Sequence, residues 1–397
     1  MAISRMFLIL ILTLLHYFST SILAANPTYN VLSYGAKADG KSDCAKAFEA
    51  AWGAACDISS PATISVPRGR YILGNAYFKG NECKNNAITI QIDGTLSAPF
   101  DYNVIANSNH WLTFKKVTGV SIRGGTLDGL GANLWACKDS GKKCPEGATS
   151  MAFLNSNKIS INGLTSINSQ KFHIIFDGCN DAKLQNIKIS ALDESPNTDG
   201  IHIARSSLVS VTNSRIATGD DCISMSPGTS NVFVQNVVCG PGHGISIGSL
   251  GWELNEAGVE NVTVKSCVFS GTQNGVRIKT WARPSNGFVK NIYYEDLTMV
   301  NAKNPIVIDQ NYCPNDQDCP DQSSGVKISG VTYKNIHGTS ATEVGVNLEC
   351  SKTEPCTEIT LDDVVLKHKK EAANVVCENA VQNMDGAVNV LKCLPKK

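Results

Sequence analysis

Apolar residues recur along the chain in alternating pairs, each pair closed two residues later by Gly, Asn, Asp or Ser. Ile90 and Ile92 precede Gly94, Val120 and Ile122 precede Gly124, Ile159 and Ile161 precede Gly163, and Ala182 and Leu184 precede Asn186. The pattern continues with Val209 and Val211 before Asn213, Val232 and Val234 before Asn236, and Val262 and Val264 before Ser266. It ends with Ile292 and Tyr294 before Asp296, Val331 and Tyr333 before Asn335, and Ile359 and Leu361 before Asp363. Successive starts lie 23 to 39 residues apart, which is a solenoid period. Period-two alternation predicts short strands, and no unit has room for an amphipathic helix beside them. A Leu ladder is missing and propeller blades would be longer, so leucine-rich repeats and propellers fit less well. The prediction is an all-β, single-domain parallel β-helix, its coils stacked at about 4.8 Å with equivalent side chains in ladders. Residues 43–55 place Ala47, Phe48, Ala51 and Trp52 on one helical face, which predicts a short N-terminal helix capping the open end of the solenoid.

A second repeat carries the chemistry. Asp199, Asp221 and His243 each open a Gly/Cys-Ile stretch, at steps of 22 residues, and Asn274 opens a fourth after 31. With one coil per step, Asp199, Asp221 and His243 form a column on one face, Asp220 stands beside its middle member, and Arg277 and Lys279 emerge one coil further on. An extended strand would send Asp220 and Asp221 to opposite faces. Gly219 is therefore expected to mark a bend that brings both to one cleft.

Charge and cysteine content narrow the setting. The 35 basic and 35 acidic residues cancel, so no global field draws nucleic acid or an anionic membrane. Arg5, the apolar run 6–15 and the small residues Ala24 and Ala25 predict a cleaved secretory signal over 1–24, leaving 25–397 as the working domain. The alternative, a membrane anchor, needs a run of roughly 20 apolar residues, which His16, Ser19, Thr20 and Ser21 cut short. Fifteen cysteines in a secreted chain predict disulfides, and their odd number leaves at least one unpaired. Cys137 with Cys144, Cys313 with Cys319, Cys350 with Cys356 and Cys377 with Cys393 are close enough in sequence to staple loops. No CxxC pair supports zinc. Asn261 opens the sequon Asn261-Val262-Thr263, a candidate glycosylation site.

Carboxylates one or two coils apart repel, which raises the proton affinity of one while another stays ionised. A glycosidase needs such a set: an acid for the leaving oxygen and a carboxylate that activates water. Arg277 and Lys279 share a face and could hold one anionic sugar, and His243 could assist the acid. Plainer readings remain: Asp is common at bends, and clustered carboxylates also suit calcium. The glycines at 240, 242, 244 and 248 lack the Gly-Lys-Ser/Thr of a phosphate loop, which favours tight corners. His173 and His202 fit stacking positions; Trp111, Trp135, Trp252 and Trp281 fit either a sugar cleft or packing.

The strings Asn197-Thr198-Asp199-Gly200, Gly219-Asp220-Asp221-Cys222, Gly242-His243-Gly244, Arg277-Ile278-Lys279 and Asn311-Tyr312-Cys313 occur in the order found in polygalacturonases. The chain resembles that family of pectin-hydrolysing glycoside hydrolases from about Tyr29 to Cys393, and within it the plant, pollen-type branch. The resemblance implies a right-handed parallel β-helix that hydrolyses α-1,4 links of homogalacturonan with inversion. It makes Asp220 the general acid, Asp199 and Asp221 the pair that positions and deprotonates water, and His243 the support of the acid. Asn197, Arg277, Lys279 and Tyr312 would bind galacturonate. It also implies bridges Cys222–Cys239, Cys350–Cys356 and Cys377–Cys393 and no metal cofactor; a monomer secreted to the cell wall is expected, with homogalacturonan as its partner and neither nucleic acid nor membrane. The branch points to exo action, for which the Leu134 to Gly147 segment is the candidate wall across one end of the cleft. Endo action, a calcium-dependent pectate lyase and a non-catalytic pectin-binding wall protein are the rival functions.

Overall fold

The structure is a computed structural model that describes residues 26–314 and 317–382. The expected leader and Cys393 lie outside the described residues. Eleven strands, one per coil, form a wholly parallel sheet from Ala76–Lys79 to Asn374–Glu378. A second, 21-stranded sheet wraps the remaining faces of the solenoid. The wrap comes from strands that turn a corner without ending: Ser207–Ala217 pairs with Asn180–Gln185 along its first half and with Lys188–Ser190 along its second.

The corner explains the residue that closes every sequence repeat after the first, whose Gly94 is not at a left-handed position. Gly124, Gly163, Asn186, Asn213, Asn236, Ser266, Asp296, Asn335 and Asp363 all sit at φ between 50° and 74°. Gly, Asn and Asp tolerate that left-handed conformation best, hence their recurrence. Corner side chains also bond between coils, as Asn236 Nδ2 does to Asn213 Oδ1 at 3.1 Å. On another corner, Asn261 Nδ2 donates to Asn231 Oδ1 at 3.2 Å and the Asn261 side chain is exposed.

From Val120 onward, the coil-to-coil pairing follows the repeat pattern: Val120 pairs with Ile159, Ile159 with Ala182, and so on to Val331 with Ile359. The first step differs. Val120 pairs with Ile88, not Ile90, so this repeat is displaced by two residues. A slip of two keeps every side chain on its own face, which is why alternation alone could not detect it.

The interior is a set of ladders. Phe78, Phe114, Phe153 and Phe176 stack with centroids 4.5, 4.8 and 5.3 Å apart. Beyond Phe176 the column continues as Ile203, Met225 and Ile247, all buried. The predicted cap is present as α1, Ala45–Cys56, whose apolar face buries Ala47, Phe48, Ala51 and Trp52. Asp43 Oδ1 accepts from the Ala45 N–H at 2.9 Å at its start. The Trp52 indole meets Phe78 and Phe114 edge-on, closing the Phe stack off from water. Another helix, α2, spans Ala132–Asp139 and lies within the segment expected as a wall.

Cys137–Cys144, Cys222–Cys239, Cys313–Cys319 and Cys350–Cys356 are bonded as expected. Cys56–Cys83 is a further bridge, spanning 27 residues, which sequence proximity did not suggest. Cys44, Cys179 and Cys267 are buried free thiols.

Candidate active site

In the eleven-stranded sheet, Ile201 pairs with Ile223, Ile223 with Ile245, and Ile245 with Val276. The residues two positions earlier, Asp199, Asp221, His243 and Asn274, therefore stand in one register on four successive coils. The predicted column exists, with neighbours about 4.8 Å apart along the axis.

Asp220 joins it because the backbone bends at Gly219 and Asp220, as expected. The glycine is required by space: a Cβ on Gly219 would lie 2.1 Å from the Ser195 carbonyl oxygen. Asp220 Oδ1 accepts from the Asp221 N–H at 2.8 Å and lies 3.1 Å from His243 Nδ1. Asn197 Nδ2 donates to Asp220 Oδ2 at 3.4 Å. Immediately after the acids, Cys222 is tied to Cys239 across 17 residues. Closing a loop of that length contributes about 3 kcal/mol, so replacing both cysteines by Ser is expected to lower stability by that much. Denaturant midpoints measure it, and an unshifted midpoint would contradict a structural role for the bridge.

Asp199 and Asp221 are buried, at 6% and 1% exposure, and their environments differ. Asp221 Oδ1 accepts from Arg277 Nη2 at 3.0 Å and Asp221 Oδ2 from Lys279 Nζ at 2.9 Å. Burial alone would raise its proton affinity, but Lys279 and Arg277 together outweigh burial and hold Asp221 below the usual carboxylate range. Asp199 receives one hydroxyl, Ser224 Oγ, at 2.6 Å. Burial first, then the Asp220 and Asp221 charges, push its proton affinity well above that range. One carboxylate in the column is thus strongly ionised and its neighbour strongly basic.

Arg277 and Lys279 share a face as predicted, yet in this structure both are engaged by Asp221. The Tyr312 ring stands 5.9 Å from the Arg277 guanidinium and 5.2 Å from Lys279 Nζ. Trp281 packs edge-on against Tyr312, and Trp252 against Trp281; Trp252 is 51% exposed with Arg283 stacked 4.4 Å from its ring. Trp111 and Trp135 are buried, so of the four tryptophans only Trp252 and Trp281 remain near the cleft. His173 is buried beside Ser166. His202 stacks on Phe172 at 4.8 Å but also reaches Ser224, a link that the alternation pattern concealed.

Asp220, Asp221 and His243 bring ligand atoms within 4.8 Å of one another. They suit a hard cation poorly. Calcium takes six to eight oxygens, whereas this set offers two carboxylates and a nitrogen, and Asp221 is already neutralised by two cations.

A parallel β-helix carrying carboxylates of opposed proton affinity beside fixed cations is a scaffold for acid–base chemistry. The chain belongs to glycosyl hydrolases family 28, whose model matches residues 56–386. It is 55% identical to a polygalacturonase of Prunus persica, over 96% of this chain and 98% of that one. It is 40% identical to an exopolygalacturonase of Platanus acerifolia, over 94% of this chain and 99% of that one. Among solved structures it is similar to an exopolygalacturonase from Thermotoga maritima, with a TM-score of 0.72 and 21% identity over 90% of this chain and 91% of that one. An endo-xylogalacturonan hydrolase from Aspergillus tubingensis gives a TM-score of 0.78 at 23% identity, over 93% and 98%. These structural likenesses establish the fold, a right-handed parallel β-helix.

Proposed function

We propose that the chain is a polygalacturonase that hydrolyses α-1,4-galacturonosyl links of homogalacturonan with inversion and acts from the chain end, releasing galacturonate. The observation that carries the reading is the shared register of Asp199, Asp221 and His243 with Asp220 beside them. In the proposed mechanism Asp220 protonates the glycosidic oxygen as the bond breaks. Water attacks from the opposite face, oriented by Asp221 and giving its proton to Asp199, the more basic of the buried pair. The substrate carboxylate shares Arg277 and Lys279 with Asp221, against the Tyr312 ring, while Asn197 and His243 hold Asp220.

Exo action is supported by α2 and its Cys137–Cys144 loop, anchored by buried Leu134 and Trp135. This segment leads into Thr149–Leu154, a strand two coils before that of Asp199 on the same sheet. Lys171 Nζ meets Glu146 Oε2 at 2.9 Å, fastening the segment to the next coil. The exopolygalacturonase name of the Platanus acerifolia relative points the same way. Secretion to the cell wall after removal of 1–24, action of 25–397 as a monomer, expression in pollen and glycosylation at exposed Asn261 belong to the same proposal; the disulfides support an oxidising destination. Product sizes from polygalacturonate decide the matter. Monomer alone from the first minutes is expected; mixed oligomers would indicate endo action, and unsaturated, chelator-sensitive products would indicate a lyase.

A further inference from the structure

A second column runs beside the acids. His202 pairs with Ser224, Ser224 with Ser246, and Ser246 with Arg277, so these four residues repeat the register of Asp199, Asp221, His243 and Asn274 three positions later. Each serine donates its hydroxyl proton to the carboxylate one coil earlier: Ser224 Oγ to Asp199 Oδ2 and Ser246 Oγ to Asp221 Oδ1, both at 2.6 Å. A serine oxygen that donates in one direction can accept in another. Ser246 Oγ accepts from Arg277 Nε at 3.1 Å, and Arg277 is always protonated, so the direction of that hydroxyl is settled.

On the other side of Ser224, one coil earlier and on the same coil as Asp199, stands His202, whose Nδ1 lies 2.8 Å from Ser224 Oγ. If Nδ1 carries the ring proton, Ser224 is turned toward Asp199 as Ser246 is toward Asp221. If Nδ1 is bare, it competes for the Ser224 proton. The Ser224 hydroxyl has one proton and donates it to Asp199 Oδ2 at 2.6 Å, which leaves its oxygen to accept from Nδ1–H, the first arrangement. Ser226 Oγ, 3.4 Å from His202 Nε2, can donate to the bare Nε2 of that tautomer, and the Phe172 ring holds the imidazole plane by stacking. Burial pushes the His202 imidazole down to about 4, so the ring is neutral and its tautomer is the variable.

We propose that His202 and Ser224 are positioning residues for Asp199: the His202 Nδ1–H directs the Ser224 hydroxyl onto Asp199 Oδ2, which favours the charged form of that carboxylate and leaves its other oxygen for water. The proposal rests on the reading of Asp199 as the base. The charged and titratable groups facing Asp199 are Asp220, Asp221 and Lys279; those facing His202 are Asp221, Lys279, Lys171 and Arg205. The cations around His202 are each ion-paired elsewhere, Lys279 with Asp221, Lys171 with Glu146 and Arg205 with Asp177.

The test compares Ser224→Ala, His202→Leu and His202→Asn in the full-length protein, reading kcat and kcat/KM on polygalacturonate against pH. Asn can present its side-chain N–H where His presents Nδ1–H, whereas Leu cannot. Loss of a hydrogen bond to a charged group is expected to lower kcat about tenfold in Ser224→Ala and His202→Leu, with KM within about twofold. Without that bond the Asp199 carboxylate holds its proton more tightly, so the acidic limb of kcat/KM moves up by about one pH unit. His202→Asn is expected to recover both kcat, to within about threefold, and the position of the limb. An acidic limb unmoved in Ser224→Ala, or a His202→Asn variant as impaired as His202→Leu, would overturn the proposal. Should His202→Leu not fold, Ser224→Ala, which removes one buried hydroxyl and little volume, tests the serine, and His202→Asn tests the histidine: a limb unmoved in the first or displaced in the second overturns the proposal. Asp199→Asn separates the two readings: full turnover there would end the assignment of Asp199 as base, whatever the serine variant does.

Discussion

Replacing Asp220 by Asn is expected to lower kcat on polygalacturonate by at least ~10²-fold while leaving the fold intact. The amide is nearly the same size, and its one oxygen can keep the place of Asp220 Oδ1, 3.1 Å from His243 and accepting from the Asp221 N–H, while the long 3.4 Å contact from Asn197 is given up. It cannot deliver a proton to a departing sugar oxygen, which is the role proposed for this side chain. Stability should be little changed, because Asp220 lies on a bend at the cleft and makes no ion pair with Arg277 or Lys279, which both engage Asp221. Release of reducing ends gives the rate, and a thermal melt gives the control for folding. A folded variant with undiminished turnover would remove Asp220 from the acid's role.

The second large effect is on stability. In Lys279→Met, Asp221 keeps Arg277 but loses the ammonium at 2.9 Å, while remaining 1% exposed. Taking one partner from a buried ion pair leaves charge uncompensated and typically costs about 3–5 kcal/mol. The cost should depend on pH in a stated direction. Asp221 has a depressed proton affinity when folded, so the stability it confers is present above the unfolded aspartate value and fades as pH falls through the lower folded value. The deficit of Lys279→Met is therefore greatest near neutral pH, where Asp221 of the parent is ionised and stabilised by Lys279, and shrinks in strong acid, where the carboxyl is neutral. Asp199 contributes in the opposite sense: its raised affinity favours folding at low pH, and that contribution is lost as pH rises through its folded value. Urea midpoints at neutral and acidic pH test the difference, and equal midpoints for variant and parent at neutral pH would show that Arg277 alone suffices for Asp221.

The ladder of proposed catalytic groups was legible because a solenoid turns sequence period into spatial register. The 22-residue steps that align Asp199, Asp221 and His243 in the sequence are the coil length that puts them in one register. Serines 224 and 246 occupy the fourth place of those same aligned stretches, so their recurrence was visible. Their task was not, because a hydroxyl's direction depends on what stands on the adjacent coil. Gly219 was legible as a bend but for an incomplete reason, since the backbone of Ser195 that excludes a side chain there belongs to the preceding coil.

By itself the sequence determined the winding: alternation sets the strands, and residues that tolerate left-handed φ set the corners, both being local properties of the chain. It also determined which residue types meet along the axis. Only the tertiary structure decided the first pairing, Ile88 with Val120, because a two-residue slip leaves every apolar side chain inside. Only it decided that Arg277 and Lys279 neutralise Asp221 while Asp199 remains basic, since proton affinity depends on burial and on charges brought near through space.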